Sequence, residues 1–484
     1  MLHVFKPDDV IQKNSMRGVS RTCAARYRAD ATLSLQRISM ANRRRFLQLS
    51  ASIAASSLVV DAAPTALRDV PVSTKSPQLL AQDEAHWQAV RALYPVQDDI
   101  INLEHGYWGK MATPVEEALA RNTHKVNREL SWYARRDYDR DFLAARTAVA
   151  AALGVKTNEL MLTRNATESF VNLITQYNGL TAGDAILWAD ADYPEFKRMM
   201  AWLARSRGVE GHMLALPATG ADDDYLAAYQ QAFDAHPNLK LILLTHVSNQ
   251  HGLVLPVRKI AAIARQRGIH VICDCAQSWG LLDFKRDDLD VDWAVFNLHK
   301  WIGSPVGVGA LYMREGTLAP VMPFPGEDAG DGDVANRVHL ATSDFAAFLT
   351  VPDALAFHRA IGGANKQARL NYLQQAWVSE LKDASNVEVL GATSVHNASG
   401  MGGFRLRGQA SKEQVNALQR RLQRDYGIFT VVRNDLASGA CIRVTPQTFT
   451  PVAHMQALAQ AVNSIAATAP KKDRQPGHTE PCLR

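Results

Sequence analysis

Cysteine is scarce: Cys23, Cys273, Cys275, Cys441 and Cys482 are the only five in 484 residues. They are too few and too poorly placed for the disulfide framework that staples small secreted domains. Cys273 and Cys275 share one strand face at period two, yet no second Cys or His pair stands at metal-ligand spacing beside them, so no metal site is expected. Internal repeats are lacking too. The weakly apolar run from Leu49 to Val60 falls short of the ~20 residues that span a bilayer, which argues against a permanent membrane anchor. Basic charge is missing where nucleic-acid binding would need it. The first 66 residues hold ten Lys or Arg against four Asp, so the formal net charge of +5 belongs to them. The remainder is close to neutral and has no basic stripe, so no nucleic-acid partner is expected. What is present is length and a 47% hydrophobic composition, enough for the large core of a two-domain globular protein.

The amino terminus carries a sorting pattern. Asn42-Arg43-Arg44-Arg45-Phe46-Leu47-Gln48 precedes the Leu49 to Val60 run, and small residues follow from Ala62 to Ala66. Basic, apolar and small regions in that order read as a secretory signal, and paired arginines before Phe-Leu resemble the twin-arginine type. Residues 1–66 are therefore expected to be an export signal, with Met40 as an alternative start, and the rest to be periplasmic or secreted. Residues 471–484 read as a polar tail.

The chemistry is concentrated on successive apolar strands. Val271-Ile-Cys-Asp274 and Trp293-Ala-Val-Phe296, with Asn297, His299 and Lys300 following, are short runs of the kind buried on both faces of a parallel sheet. Leu239 to Thr245 is another, and Val257 to Arg265 has helical apolar spacing and stops before Gly268, giving a strand, helix, strand unit with a right-handed crossover. Asp274 and Lys300 thus fall at strand carboxyl ends, where open parallel sheets bind ligands. Taken singly, Lys300 also reads as a solvated lysine and Asp274 as a helix cap. Together they meet two needs of pyridoxal phosphate: a lysine amine to hold the aldehyde, and a carboxylate to keep the pyridine nitrogen protonated. A third element, Asn165-Ala166-Thr167-Glu168 before the apolar run Phe170 to Ile174, offers a helix start with free N–H groups and a hydroxyl for the cofactor phosphate, or else an ordinary cap.

From about residue 101 to about residue 466 the chain resembles the class V aminotransferase family of pyridoxal phosphate enzymes, in particular its isopenicillin N epimerase-like branch. The resemblance rests on His105-Gly106 with Thr113-Pro114, Asn165-Ala166-Thr167-Glu168, Asp274-Cys-Ala276-Gln277, Asn297-Leu-His299-Lys300, Thr342-Ser343-Asp344 and Arg443-Val-Thr445-Pro446. It implies that Lys300 and Asp274 are catalytic, and that Gln277 reaches the cofactor ring oxygen. Asn165, Ala166, Thr167, Asn297 and His299 would contact the cofactor, with Tyr193 stacked on the ring. Thr342 would approach the partner subunit's cofactor in a homodimer. Arg443 would hold a substrate carboxylate, with His105 in the substrate loop. Two positions depart from the family pattern: Glu104 stands where the branch has asparagine, and Ser343 where it has arginine, so substrate specificity need not be inherited. Cysteine desulfurases of the same class carry a nucleophilic cysteine some fifteen residues before the carboxylate arginine, and around Asp425 to Val432 this chain has none.

The expected fold is α/β, the aspartate aminotransferase-like fold of pyridoxal phosphate transferases. An arm over 67–113 precedes a doubly wound, mostly parallel domain over 114–344 and a smaller α+β domain over 345–470, with strands near 387–391 and 402–407. The expected activity is at the α-carbon of an amino acid or small peptide, by transamination or epimerisation. A lyase of the same family and a secreted, non-catalytic binding protein are the alternatives.

Overall fold

The computed structural model describes residues 67, 69–328, 332–392 and 398–468; the expected export signal and polar tail lie outside the described residues. Seven strands form the larger sheet: β1 (Leu160–Thr163), β2 (Ala185–Ala189), β3 (Glu210–Leu214), β4 (Leu239–Thr245), β5 (His270–Asp274), β6 (Trp293–Asn297) and β7 (Gly309–Met313), in the order β1-β7-β6-β5-β4-β2-β3. Only β7 runs against its neighbours, so the sheet is mixed but mostly parallel.

Alternation along the strands explains why these runs are apolar throughout. Ala185, Leu187 and Ala189 enter one core cluster, and Ile186 and Trp188 another; Val271 and Cys273 part from Ile272, and Ala294 and Phe296 from Trp293 and Val295, in the same way. One face is covered by α1 (Tyr138–Leu153), α4 (Asp222–Ala235) and α5 (Val257–Gln266), through Val149, Tyr229 and Ile260. The other is covered by α2 (Ala166–Gln176) and α3 (Pro194–Arg207), through Phe170, Leu173, Phe196 and Met200. With both faces packed, the interiors of the central strands β2, β5 and β6 are apolar, whereas the edge strand β3 carries Glu210 and His212 and β4 carries the exposed Lys240. At the carboxyl ends the apolar runs give way to Thr163, Thr245, Asp274 and Asn297.

A second, mainly antiparallel sheet contains β8 (Val387–Ala392), β9 (Gly402–Leu406), β10 (Val431–Arg433) and β11 (Cys441–Val444), ordered β10-β11-β9-β8. Its core is filled from α6 (Gly363–Leu381), α7 (Lys412–Tyr426) and α8 (Val452–Thr468) by Leu373, Trp377, Leu418, Leu422, Leu458 and Val462. Two distant segments join this part of the molecule. Thr219–Gly220 adds a short parallel pairing to the end of β8. Ile101–Asn102 pairs with Ile428–Phe429, which buries Leu103 in the same core and runs Glu104 alongside Thr445. The arm is thus held by backbone pairing, and this brings its next residues to the carboxyl edge of the larger sheet.

Candidate active site

Four strand ends build one cavity. Asp274 closes β5, Lys300 follows β6 by three residues, Asn165 lies just beyond β1, and Asn249 lies beyond β4. With Asn297, Gln277, Tyr193 and Arg443 they line a space of about 320 Å³, within the usual range for small-molecule sites. The arm loop Gly106-Tyr107-Trp108 forms part of its wall. Gly109 N–H donates to His299 O at 2.7 Å, and a Cβ at Gly109 would stand 1.7 Å from Lys300 O, so only glycine allows the arm to pass this close to the lysine.

The start of α2 has the chemistry of an anion seat. Asn165 Oδ1 accepts from Glu168 N at 2.8 Å, and Asn297 Oδ1 accepts from Ala166 N at 2.8 Å. The N–H and hydroxyl of Thr167, and the side-chain amide of Asn297, have no partner among the described residues and line the cavity. Free donors at a helix amino terminus suit a phosphate. Ala166 serves the seat through its backbone alone, and that N–H is spent on Asn297.

Asp274 is buried; one carboxylate oxygen accepts from Ala276 N at 2.8 Å and the other takes no hydrogen bond. Burial raises its pKa to about 6, against the pull of Ala276 N–H and the Lys300 ammonium. An acceptor oxygen left open in a buried position fits a protonated ring nitrogen. Burial likewise lowers Lys300 to about 8; Asp274 and Glu104 oppose this, while Arg443 and Arg433 add to it. His299 Nδ1 donates to Val308 O at 2.9 Å, and burial together with the neighbouring ammonium lowers its pKa to about 4. The ring is therefore neutral, with Nε2 as an acceptor. Gln277 Oε1 accepts from Trp301 Nε1 at 2.9 Å and its amide donates to Gly106 O at 2.8 Å, leaving one amide hydrogen for a ring oxygen. Tyr193 meets Phe196 edge-on at 5.3 Å on the same wall. These groups fit pyridoxal phosphate, whose phosphate would rest on Thr167 and Asn297, ring nitrogen on Asp274 and aldehyde carbon at Lys300.

Two residues named from the sequence lie outside this cavity: His105, against expectation, and Thr342, which was expected at a partner subunit's cofactor. His105 does not reach this cavity: its ring packs edge-on against Phe449 at 5.3 Å and faces a neighbouring pocket of about 420 Å³, and burial lowers its pKa to about 4. The reason is the parallel pairing of the arm, which sends Glu104, not His105, toward Arg443. Thr342 is exposed and lines no part of its own chain's site; the following Asp344 caps a short helix, accepting from Ala347 N at 3.1 Å.

Arg443 is on the wall but is already engaged. Its residue exposure is 1%; Nη1 donates to Asn249 O at 2.9 Å and Nη2 is ion-paired with Glu104. Burial, with help from Arg433, lowers its pKa to about 10, and Glu104 holds it up. Removing one member of a buried pair of this kind costs roughly 3–5 kcal/mol. Among the lining residues that sequence reasoning passed over are Asn249, Arg433 and the rim pair Tyr107 and Trp108. Arg433 carried a signal: two short apolar strands, each bearing an arginine, close together near the carboxyl end.

Lys300 sets a pH dependence that can be checked on the cofactor-free protein. Only the neutral amine captures an aldehyde, and at pH 7 about a tenth of a group with this pKa is neutral, against roughly one in three thousand for an ordinary lysine. Because the pKa is depressed, the neutral fraction rises with pH and saturates early. The capture rate of pyridoxal phosphate should climb about tenfold per unit below pH 7, about fivefold from pH 7 to pH 8, and then level off. A stopped-flow profile still climbing at pH 9.5 contradicts this.

Comparison with known proteins agrees with the geometry. The family model for "Aminotransferase class-V" matches residues 114–423. Isopenicillin N epimerase of Streptomyces clavuligerus is 25% identical over 398 residues, 79% of this chain and 98% of that protein. A probable cysteine desulfurase of Aeropyrum pernix is 31% identical over 230 residues, 45% of this chain and 51% of that one. Among solved structures, a C-DES mutant with glycine covalently linked to its PLP cofactor superposes with TM-score 0.68 at 22% identity, covering 77% of this chain and 98% of that chain. The chain belongs to the class V aminotransferase family of pyridoxal phosphate enzymes, and pyridoxal phosphate is its cofactor.

Proposed function

We propose that this protein acts at the α-carbon of an amino acid or small peptide, by transamination, with epimerisation as the second reading. The observation that carries the proposal is the meeting, in one cavity, of a depressed lysine amine, a buried carboxylate with one open oxygen and an unsatisfied helix start. The cofactor supplies an electron sink for the bond broken at the α-carbon. Lys300 is the base positioned to take the α-proton, and Asp274 holds the ring nitrogen in its charged form. Thr167 and Asn297 anchor the phosphate, and neutral His299 completes the wall beside the lysine. Sulfur transfer lacks a residue: the cysteines among the described residues, Cys273, Cys275 and Cys441, are buried and none lines the cavity, and burial raises the Cys441 thiol to about 12. Transamination ranks ahead of epimerisation because Glu104, the departure from the epimerase-like pattern, stands on the guanidinium expected to hold the substrate.

Incubating the loaded enzyme with a panel of amino acids in deuterated water distinguishes the outcomes. Keto acid with the amine form of the cofactor is the expected result. Inverted, deuterated amino acid indicates epimerisation, and ammonia or a cleaved fragment indicates a lyase. If no amino acid exchanges its α-proton while a borohydride-stable pyridoxyl group is on Lys300, the enzymatic reading fails.

A further inference from the structure

The pairing of β10 with β11 sets two arginines side by side. Val431 faces Arg443 and Arg433 faces Cys441, so Arg433 and Arg443 lie on one sheet face at a diagonal spacing. They differ in what they already hold. Arg443 is consumed by Glu104 and by Asn249 O, and the arm closes over it: a Cβ on Gly106 would meet Nη2 at 3.0 Å and Cζ at 3.1 Å. The second oxygen of Glu104 is also engaged, accepting from Thr445 Oγ1 at 3.3 Å. A substrate carboxylate could reach this fork only by expelling Glu104 or by sharing a buried guanidinium with it, and two carboxylates at one buried cation repel. The Arg433 side chain makes no hydrogen bond or ion pair among the described residues, and its Nε is buried without a partner. It lines both the Lys300 cavity and the adjoining pocket, where Phe429, Val431, Tyr107 and Trp108 supply apolar surface and Glu104, His105 and Lys110 stand on the remaining wall.

We propose that Glu104 is an internal carboxylate that closes Arg443 to substrate, and that Arg433 receives the carboxylate of an amino acid whose apolar or aromatic side chain occupies the adjoining pocket. The inference rests on the function proposed above and names its substrate class. Arg433 offers the planar fork that a carboxylate prefers, and it stands on the wall shared by the Lys300 cavity and the adjoining pocket. Glu104 is then a specificity-determining residue that works through Arg443.

The test is equilibrium binding to the loaded enzyme, read from its visible absorption, with L-phenylalanine and with 2-phenylethylamine, which lacks the carboxylate. The unaltered enzyme should bind the amino acid at least tenfold more tightly. Arg433→Gln should erase that preference by weakening the amino acid alone. The double variant Glu104→Gln, Arg443→Gln, which removes the buried pair without stranding a charge, should keep the preference within threefold. The opposite pattern, with preference lost in the double variant and kept in Arg433→Gln, overturns the proposal, as does an unaltered enzyme that shows no preference. Borohydride reduction of each protein separates the two failures. A pyridoxyl group on Lys300 without preference sinks only the carboxylate assignment, whereas its absence from the unaltered protein sinks the enzymatic reading as well.

Discussion

Lys300→Ala should leave the protein folded and abolish both its covalent cofactor adduct and nearly all α-proton exchange. The amine is the group placed to capture the aldehyde, and positioned proton transfer contributes about 10²–10⁴-fold on its own. A fall of three to four decades in exchange rate is expected, with no pyridoxyl peptide after borohydride. The stability effect runs the other way, which separates a catalytic from a structural lysine. A lysine whose pKa is depressed from 10.5 to about 8 contributes its full stability above 10.5 and loses it as pH falls through that window. At pH 7 the charge therefore carries a penalty of up to about 3 kcal/mol. The cofactor-free variant should melt no lower than the cofactor-free parent at pH 7. A clear drop in melting temperature would show that the lysine mainly holds the fold.

Asp274→Asn should keep the adduct and lose the rate. The amide can still accept from Ala276 N, so the local backbone has no cause to move. What disappears is the negative charge that, on the proposed function, would keep the ring nitrogen protonated. Losing one buried electrostatic contact to the reacting system costs about 10²–10³-fold, some 3–4 kcal/mol of barrier. The measurement is α-proton exchange beside borohydride trapping in the same preparation, and a rate within threefold of the parent refutes the role. The cofactor-free proteins add a control on stability. Raised from 3.8 to about 6, Asp274 favours folding less as pH rises through that interval, because the buried form resists ionisation. The asparagine variant should lose that part of the pH dependence and gain stability above pH 6 relative to the parent.

Both predictions concern residues that the sequence itself marks out. Strands buried on both faces must be apolar, so Leu239 to Thr245, Val271 to Cys273 and Trp293 to Phe296 stand out, and the first polar residues after them mark the sheet edge that binds ligands. Asp274 and Lys300 follow from that rule and from what the cofactor requires. The helix start at Asn165 was visible as a cap, since the residues that cap a helix also leave its next donors free.

What lay beyond reach were contacts between segments far apart in the chain. No local pattern states that Ile101–Asn102 pairs with Ile428–Phe429, and that pairing puts Glu104 on Arg443 and turns His105 away from the cavity. The sequence alone determined the central strands, the placement of Asp274 and Lys300 at their carboxyl ends, and the cofactor, because burial and cofactor chemistry constrain residue types within a few positions of a strand end. Only the tertiary structure decided which arginine remains free, because an ion pair across 339 positions depends on backbone pairing and close approach, which leave no periodicity behind.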